Sequence, residues 1–199
     1  MMFRIGNSDR RCWQYRRNLY ARRGLRGWWS RIAQAEWRAA ANLWNEQIAP
    51  VDGWTADFGA GNTGFWKQVS PPKKLLLIDI TEISTTGMVA AARVVADATN
   101  PPIKPHSLHC IVALGLLEYI ANPREILSRW RSLTVADAKL LITSSPPLLP
   151  NYIRRLVPPF AYPRNDEVVV KMLRSSGWRV SSSSPVRAGW QSIFTATAV

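Results

Sequence analysis

The sequence predicts an α/β protein built around a doubly wound, mostly parallel sheet of seven strands. Short apolar segments of strand length alternate along the chain with segments of helical periodicity. The first predicted strand runs into a G-x-G-x-x-G turn at Gly59–Gly64, where the missing Cβ atoms let the backbone come close to a ligand. The next strand ends in a carboxylate, Asp79, which is the layout of a nucleotide-binding βαβ unit.

The first 49 residues predict a basic, aromatic-rich helical extension in front of the sheet-forming domain, residues 50–199. Ten arginines against three acids give this extension a charge of +7, and the other 150 residues add +6 to reach the net +13. Residues 1–26 leave four interpretations open: a membrane- or partner-binding arm, an Arg-rich transit peptide, a lid over the active site, or a partly ordered terminus. From Trp28 to Ile48 apolar residues recur every three or four positions, which predicts a helix on the edge or mouth of the sheet.

The sequence predicts that strands and helices alternate through most of the sheet domain. Its predicted strands are Trp54–Phe58, Lys74–Asp79, Arg93–Asp97, His109–Leu114, Lys139–Thr143, Trp178–Ser184 and Trp190–Ala198. Its predicted helices are Thr63–Val69, Ile83–Ala92, Pro123–Leu133 behind an Asn122 cap, and a last one from Asn165 to Ser176 that Gly177 closes. Two further segments complete the domain: a proline-rich irregular segment over Ser145–Pro163 and a hairpin around Pro185–Gly189.

The composition excludes several classes of protein. No run of eighteen apolar residues predicts a membrane span, and the first residues lack the apolar core of a signal peptide. We expect a cytoplasmic protein, with peripheral membrane contact or organellar targeting through the basic N-terminus left open. Two cysteines, Cys12 and Cys110, and two histidines are too few for a disulfide framework or a metal centre. The positive charge favours anionic partners: nucleic acid, phospholipid headgroups or an acidic small molecule.

Four segments, in this order and at this spacing, resemble the class I S-adenosylmethionine-dependent methyltransferases of the small single-domain type. The resemblance covers about Trp54 to the C-terminus. Its segments are the acid and glycine turn of Ala56–Gly64, the strand end Leu77–Thr81, the loop Val95–Pro102, and the strand and loop Ser107–Ile120. The fold that it implies is the Rossmann-like methyltransferase fold, whose last strand runs antiparallel to the others.

The resemblance implies S-adenosyl-L-methionine as the cofactor and no metal. In this family the carboxylate at the position of Asp79 takes the ribose hydroxyls, and the segment around Asp97 touches the adenine ring. The residues that the resemblance assigns to the cofactor are Asp57, Gly59, Ala60, Gly61, Asp79, Ile80, Asp97, Ala98 and Leu114. Plainer interpretations stay open: the glycines serve only a tight turn, Asp79 is a solvated acid, and Asp97 is a turn residue.

The chain departs from the family pattern at three places. His109 stands where the family often has aspartate, and Tyr119 stands where it commonly has histidine. Thr63 holds the usual third glycine position, with Gly64 one residue later. We expect Tyr119 to be the catalytic residue, as an acceptor-positioning hydroxyl or aromatic wall, although Tyr119 and Glu118 could equally pack or face solvent.

Methyl transfer depends chiefly on the position and orientation of the two reactants, so a dedicated acid–base pair need not appear in the sequence. Segments at the position of Ser145–Pro163 often roof the acceptor site in this family. An apolar roof containing Arg154 and Arg155 fits a hydrophobic, acidic small molecule or lipid. The alternatives are an RNA methyltransferase, an NAD-dependent oxidoreductase using the same glycine turn, and a non-catalytic relative that binds nucleic acid through its basic N-terminus.

Overall fold

The computed structural model describes residues 26–61, 64–82, 91–156, 161–182 and 184–199. Its helices are α1 (Arg26–Gln47), α2 (Pro123–Leu133), α3 (Leu149–Arg155) and α4 (Asp166–Ser175). Its strands are β1 (Trp54–Phe58), β2 (Lys74–Asp79), β3 (Ala92–Val95), β4 (Leu108–Ala113), β5 (Thr134–Ser144), β6 (Trp178–Val180), β7 (Val186–Ala188) and β8 (Gln191–Ala198). The interpretations of the Arg-rich N-terminus concern residues that lie outside these ranges, apart from Arg26.

The strands form one sheet in the order β3-β2-β1-β4-β5-β8-β6, with β7 paired to β8 off this path. Strands β1 to β5 run parallel, and β8 runs antiparallel to β5, β6 and β7. This confirms the predicted doubly wound, mostly parallel sheet. The strand order reverses between β1 and β4, and such a switch point at the carboxyl edge is where open α/β sheets bind ligands.

Both faces of the sheet are buried, because successive side chains of its central strands point to opposite cores. In β4, Ile111 belongs to the core under α2 and α4, whereas Cys110 and Val112 belong to the core under α1. Helix α1 contributes Ala40, Ala41, Leu43, Trp44 and Ile48 to that second core. This apolar side of α1 is therefore a packing surface, and α1 shares a hydrophobic core with the sheet.

Two predicted elements near the glycine turn differ from the structure, and a third lies mostly outside the described residues. The predicted helix Thr63–Val69 is a single 3-10 turn over Phe65–Lys67, because both aromatics of this turn are buried and two prolines follow before β2. The predicted helix Ile83–Ala92 lies outside the described residues except at its last two positions, and Ala92 already belongs to β3. Strand β3 then ends at Val95 rather than Asp97.

The second half of the chain also differs from the prediction. Strand β5 begins at Thr134, directly after α2, and an irregularity that includes Asp137 in the left-handed region (φ 57°) separates its two paired stretches. The segment predicted to be irregular contains α3, since Pro150 stands in the first helical turn, where proline is tolerated. The predicted hairpin holds an additional strand, β7, so the sheet has eight strands instead of seven. None of the helices in the described ranges is long and apolar enough to cross a bilayer.

Candidate functional site

The glycine turn after β1 is tied to the end of β2 through its backbone. The Gly59 and Ala60 amides donate to the carbonyl of Ile78, at 2.8 and 3.1 Å, and the Gly61 amide donates to Asp79 Oδ2 at 3.0 Å. Gly59 and Gly61 both have left-handed backbones, with φ of 72° and 53°, which residues with a Cβ rarely adopt. The glycines at these two positions are therefore required by the turn itself.

Asp79 keeps hydrogen-bonding capacity at the carboxyl edge. Its Oδ1 accepts from the amide and the hydroxyl of Thr81, each at 2.9 Å, and its Oδ2 accepts from Gly61. An ionised carboxylate offers about four acceptor positions, so these three bonds leave roughly one position on Oδ2. Ile80, the next residue, is half-buried. Asp79 is thus oriented by the turn and can still accept a hydrogen bond from a ligand.

Asp57 is a buried carboxyl at the end of β1. Its Oδ2 accepts a 2.7 Å hydrogen bond from the indole Nε1 of Trp66. Burial raises the pKa of Asp57 to about 7; the Trp66 hydrogen bond opposes this shift and the nearby charge of Asp79 adds to it. Asp57 therefore changes charge near neutral pH, at the base of the glycine turn.

Helix α1 packs against Trp66, the residue that donates a hydrogen bond to Asp57. Trp66 packs edge-to-face against Trp44 of α1, with 5.3 Å between ring centroids, and against Phe65 at 4.8 Å. A Cβ added to Gly64 would lie 2.3 Å from the ring of Trp37, also on α1, so this glycine allows the helix to approach. The last glycine of the G-x-G-x-x-G pattern is thus a contact point for α1.

The loop after β4 lies beside the glycine turn at the carboxyl edge of the sheet. Gly115 has a φ of 72°, its amide donates to Thr143 Oγ1 at 2.7 Å, and a Cβ at this position would meet open space. Leu116 packs against Gly59, where a Cβ would lie 3.2 Å from its side chain. Leu114, which connects β4 to Gly115 in the sequence, is half-buried. The glycine turn and the β4 loop are therefore in direct contact beside an open space.

Asp97 has a turn-closing role in this structure. Its two oxygens accept from the amide and the hydroxyl of Thr99, at 2.8 and 2.7 Å. Ala98 is buried, and its carbonyl accepts from Trp130 Nε1 at 2.8 Å, which fixes the loop to α2. The local contacts are those of the plainer interpretation, a turn residue, and they show Asp97 engaged with its own loop.

Tyr119 and Glu118 lie in a 3-10 turn over Leu117–Tyr119, just after the β4 loop. Tyr119 is half-buried, so it neither disappears into the core nor stands free in solvent. Glu118 is 1% exposed, and its Oε1 accepts from Gln191 Nε2 at 2.8 Å. Gln191 also donates to Ser145 Oγ at 3.2 Å, which links the β4 loop to the ends of β5 and β8.

Arg164 supports this turn from the chain that follows α3. Its guanidinium donates to backbone carbonyls of the turn and its flanks, which belong to Leu117, Ile120, Ala121 and Tyr162. Burial lowers the pKa of Arg164, and the charge of Glu118 counters this effect. Sequence reasoning missed Trp66, Arg164 and Gln191, since Gln191 and Arg164 contact residues more than forty positions away. For Trp66, an indole nine residues after a buried acid was the available signal.

The structure brings most of the predicted cofactor residues to one edge. The turn residues Gly59, Ala60 and Gly61, the acids Asp57 and Asp79, and the β4 loop meet at the switch point. Asp97 follows β3, which runs parallel to β2, and accepts hydrogen bonds from Thr99 in its own turn. Within the described part of the chain, no three His, Cys, Asp or Glu side chains are placed to hold a metal ion. No family model and no curated protein sequence matches the chain.

Solved structures do match the fold. A methyltransferase of Thermotoga maritima described as S-adenosylmethionine-dependent aligns with a TM-score of 0.67 and 13% identity, over 94% of this chain and 98% of that one. The magnesium protoporphyrin IX methyltransferase of Synechocystis with bound SAH aligns with a TM-score of 0.66 and 13% identity, over 97% and 95%. A methyltransferase in complex with the Trm112 activator, from Haloferax volcanii, gives 0.65 and 10%, over 87% and 95%. The chain therefore has the fold of the class I S-adenosylmethionine-dependent methyltransferases.

Proposed function

We propose that this protein is an S-adenosylmethionine-dependent methyltransferase. The observation that carries the proposal is the arrangement at the switch point, where a glycine turn, an oriented Asp79 with acceptor capacity and the open side of Gly115 adjoin one another. These residues fit the cofactor. Asp79 would accept a ribose hydroxyl, and the exposed backbone of Gly61 and Gly115 would allow close approach of the rest of the molecule.

The cofactor would supply the reactive methyl group, and the protein would supply position. Tyr119 lies in the turn that follows Gly115 and that Arg164 holds, and we propose that the acceptor side is at this turn. Tyr119 would orient the acceptor through its hydroxyl or its ring. Because Glu118 is buried and bonded to Gln191, its part in the proposal is to hold the turn rather than to touch the acceptor.

For the acceptor, we propose a hydrophobic molecule with an acidic group, such as a lipid. Support comes from the exposed apolar residues of α3 and from the arginines of the segment that follows β5. An RNA acceptor is the second candidate, favoured by the net charge of +13. Transfer of labelled methyl groups into a total lipid extract, compared with total RNA, separates the two: label in RNA alone contradicts the lipid proposal.

The cofactor assignment is tested by calorimetry with S-adenosylmethionine, S-adenosylhomocysteine and NAD in parallel. We expect the first two to bind and NAD not to bind, because the proposal assigns the glycine turn and Asp79 to S-adenosylmethionine. Tight binding of NAD alone would replace this proposal with an oxidoreductase. Binding of nucleic acid with no binding of either sulfur compound would favour the non-catalytic relative.

Asp79→Ala provides the residue-level test. Loss of a charged hydrogen-bond acceptor is expected to weaken S-adenosylhomocysteine binding by about 1.5–3 kcal/mol. Asp52→Ala is the matched control, because Asp52 is an exposed acid that precedes β1. Circular dichroism shows whether both variants are folded. If folded Asp79→Ala binds as well as Asp52→Ala, the ribose assignment is wrong.

A further inference from the structure

Helix α3 turns an apolar stripe toward solvent. Leu149, Tyr152, Ile153 and Leu156 follow one another at steps of three, one and three residues, which places them on one face of a helix. Their exposed fractions are 74%, 48%, 56% and 77%. Amphipathic helices of globular proteins normally bury such a stripe against the core. The orientation of α3 is inverted, because its apolar side faces solvent.

The inverted orientation is fixed by the opposite face of the helix. Asn151 is completely buried, and its Nδ2 donates to the carbonyl of Pro146 at 2.8 Å and to the carbonyl of Trp190 at 3.0 Å. Turning α3 to bury its apolar stripe would break both bonds and expose the amide. The packing therefore holds the four apolar side chains outward.

The stripe lies at the carboxyl edge of the sheet, beside the proposed acceptor side. Helix α3 begins five residues after the last residue of β5, Ser144. The chain after α3 returns to the same edge, where the amide of Arg164 donates to the Ser145 carbonyl at 2.9 Å and that of Tyr162 donates to the Glu118 carbonyl at 2.6 Å. A surface that meets the stripe would thus also face the loop after β4.

The charge of residues 145–165 indicates what kind of surface the stripe would bind. Residues 145–165 contain three arginines and no acidic residue, and the whole chain carries +13. A second copy of the chain, or its own Arg-rich N-terminus, would bring more positive charge to the stripe. An anionic phospholipid surface complements both properties, because it attracts arginine and accepts leucine, isoleucine and tyrosine side chains at its headgroup boundary.

We propose that α3 docks the protein on an anionic phospholipid bilayer, with Leu149, Tyr152, Ile153 and Leu156 inserted at the headgroup boundary. This mode is peripheral and matches the lack of a membrane-spanning helix among the described residues. The inference goes beyond the proposed methyl transfer and does not depend on it. It specifies where a membrane would contact the protein, and it predicts that the acceptor side then faces the lipid.

The test is flotation of the full-length protein with phosphatidylcholine vesicles that contain or lack phosphatidylglycerol. The variant replaces Leu149, Ile153 and Leu156 with serine, which removes apolar surface and leaves the charge unchanged. The control variant carries Val168→Ser and Val199→Ser, two exposed apolar residues, one in α4 and one after β8. We expect wild type and control to float with the anionic vesicles, and the triple variant to bind them at least about tenfold more weakly.

Three results would overturn the inference. The first is that the wild-type protein does not float with anionic vesicles. The second is that the triple variant binds like the control, in which case another basic region carries the attachment. The third is that wild type is a dimer in analytical ultracentrifugation and the triple variant is a monomer, which would make the stripe a contact between copies. Calorimetry with S-adenosylhomocysteine on the same variants separates a failure of membrane docking from a failure of the proposed function. The substituted residues lie outside the proposed cofactor site, so cofactor affinity should not change.

Discussion

At the scale of single residues, the burial of Asp57, opposed by its hydrogen bond from Trp66, determines the charge at the base of the glycine turn. The pKa of Asp57 is about 7, above its ordinary value of 3.8, so the folded protein holds this proton more tightly than the unfolded chain does. The unfolded chain loses the proton first as pH rises. The free energy of unfolding should therefore fall between about pH 4 and pH 7 on account of this group, and its contribution should stay constant above that range.

Replacing Trp66 with phenylalanine removes the hydrogen bond that favours the ionised carboxylate. We expect the pKa of Asp57 to rise further, so that the fall in stability continues above pH 7. Urea unfolding across pH measures this, and Asp57→Asn should remove the fall. Trp44→Phe is the matched control, because Trp44 belongs to the same aromatic cluster but does not donate to Asp57 in the contacts described above. Identical pH profiles for the two tryptophan variants would contradict the assignment.

At the scale of elements, α1 contacts the glycine turn through Trp37 and Gly64, and we expect this contact to link α1 to the proposed cofactor site. The backbone of Gly64 has an ordinary helical φ of −60°, so alanine or valine is tolerated by the backbone, and the three atoms nearest to a new Cβ all belong to the ring of Trp37. Gly64→Val should therefore destabilise the protein by about 1–3 kcal/mol, as overpacking does, and should weaken S-adenosylhomocysteine binding.

A double-mutant cycle separates this contact from other effects of the valine. Trp37→Ala makes room at the turn, so Gly64→Val should cost clearly less in the Trp37→Ala background than in the wild type. Thermal unfolding and calorimetry report on stability and on cofactor affinity. Additive effects of the two substitutions would mean that α1 and the turn do not act through this contact.

At the scale of the whole molecule, deleting the first 25 residues should have a different effect from a deletion that also removes α1. Residues 1–25 hold seven arginines and one aspartate, so their removal lowers the net charge from +13 to +7. We expect this truncation to leave S-adenosylhomocysteine affinity nearly unchanged and to reduce turnover or vesicle binding. Removal through residue 49 should unfold the protein, because it strips Leu43, Trp44 and Ile48 from the core on one face of the sheet.

Calorimetry, circular dichroism and vesicle flotation of the two truncated proteins provide the measurements. A folded protein lacking residues 1–25 that no longer binds S-adenosylhomocysteine would assign the arm to the cofactor pocket. A protein that matches the full-length chain in every assay would favour the interpretation of the arm as a loose basic terminus.

The sequence alone predicted most of the architecture, apart from β7 and α3. Apolar runs, Asn122-Pro123 and Gly177 predicted the position and type of most elements, and the sheet order is the one that such alternation favours. These features are local, because a strand buried on both faces must be apolar and a left-handed turn requires glycine. The same reasoning placed Asp57, the glycine turn and Asp79 at one edge.

Only the tertiary structure determined what these residues contact. Arg164 and Gln191 hold the turn after β4 through pairings across the fold, and Trp66 reaches Asp57 from the 3-10 turn that follows β1. The contact between Asp97 and Thr99 is local, and the sequence already offered Asp97 as a turn residue. The orientation of α3 likewise depends on Asn151 reaching the carbonyl of Trp190, thirty-nine residues away. The local pattern identifies an apolar stripe, but which side of a helix faces water depends on what the rest of the chain leaves to be buried.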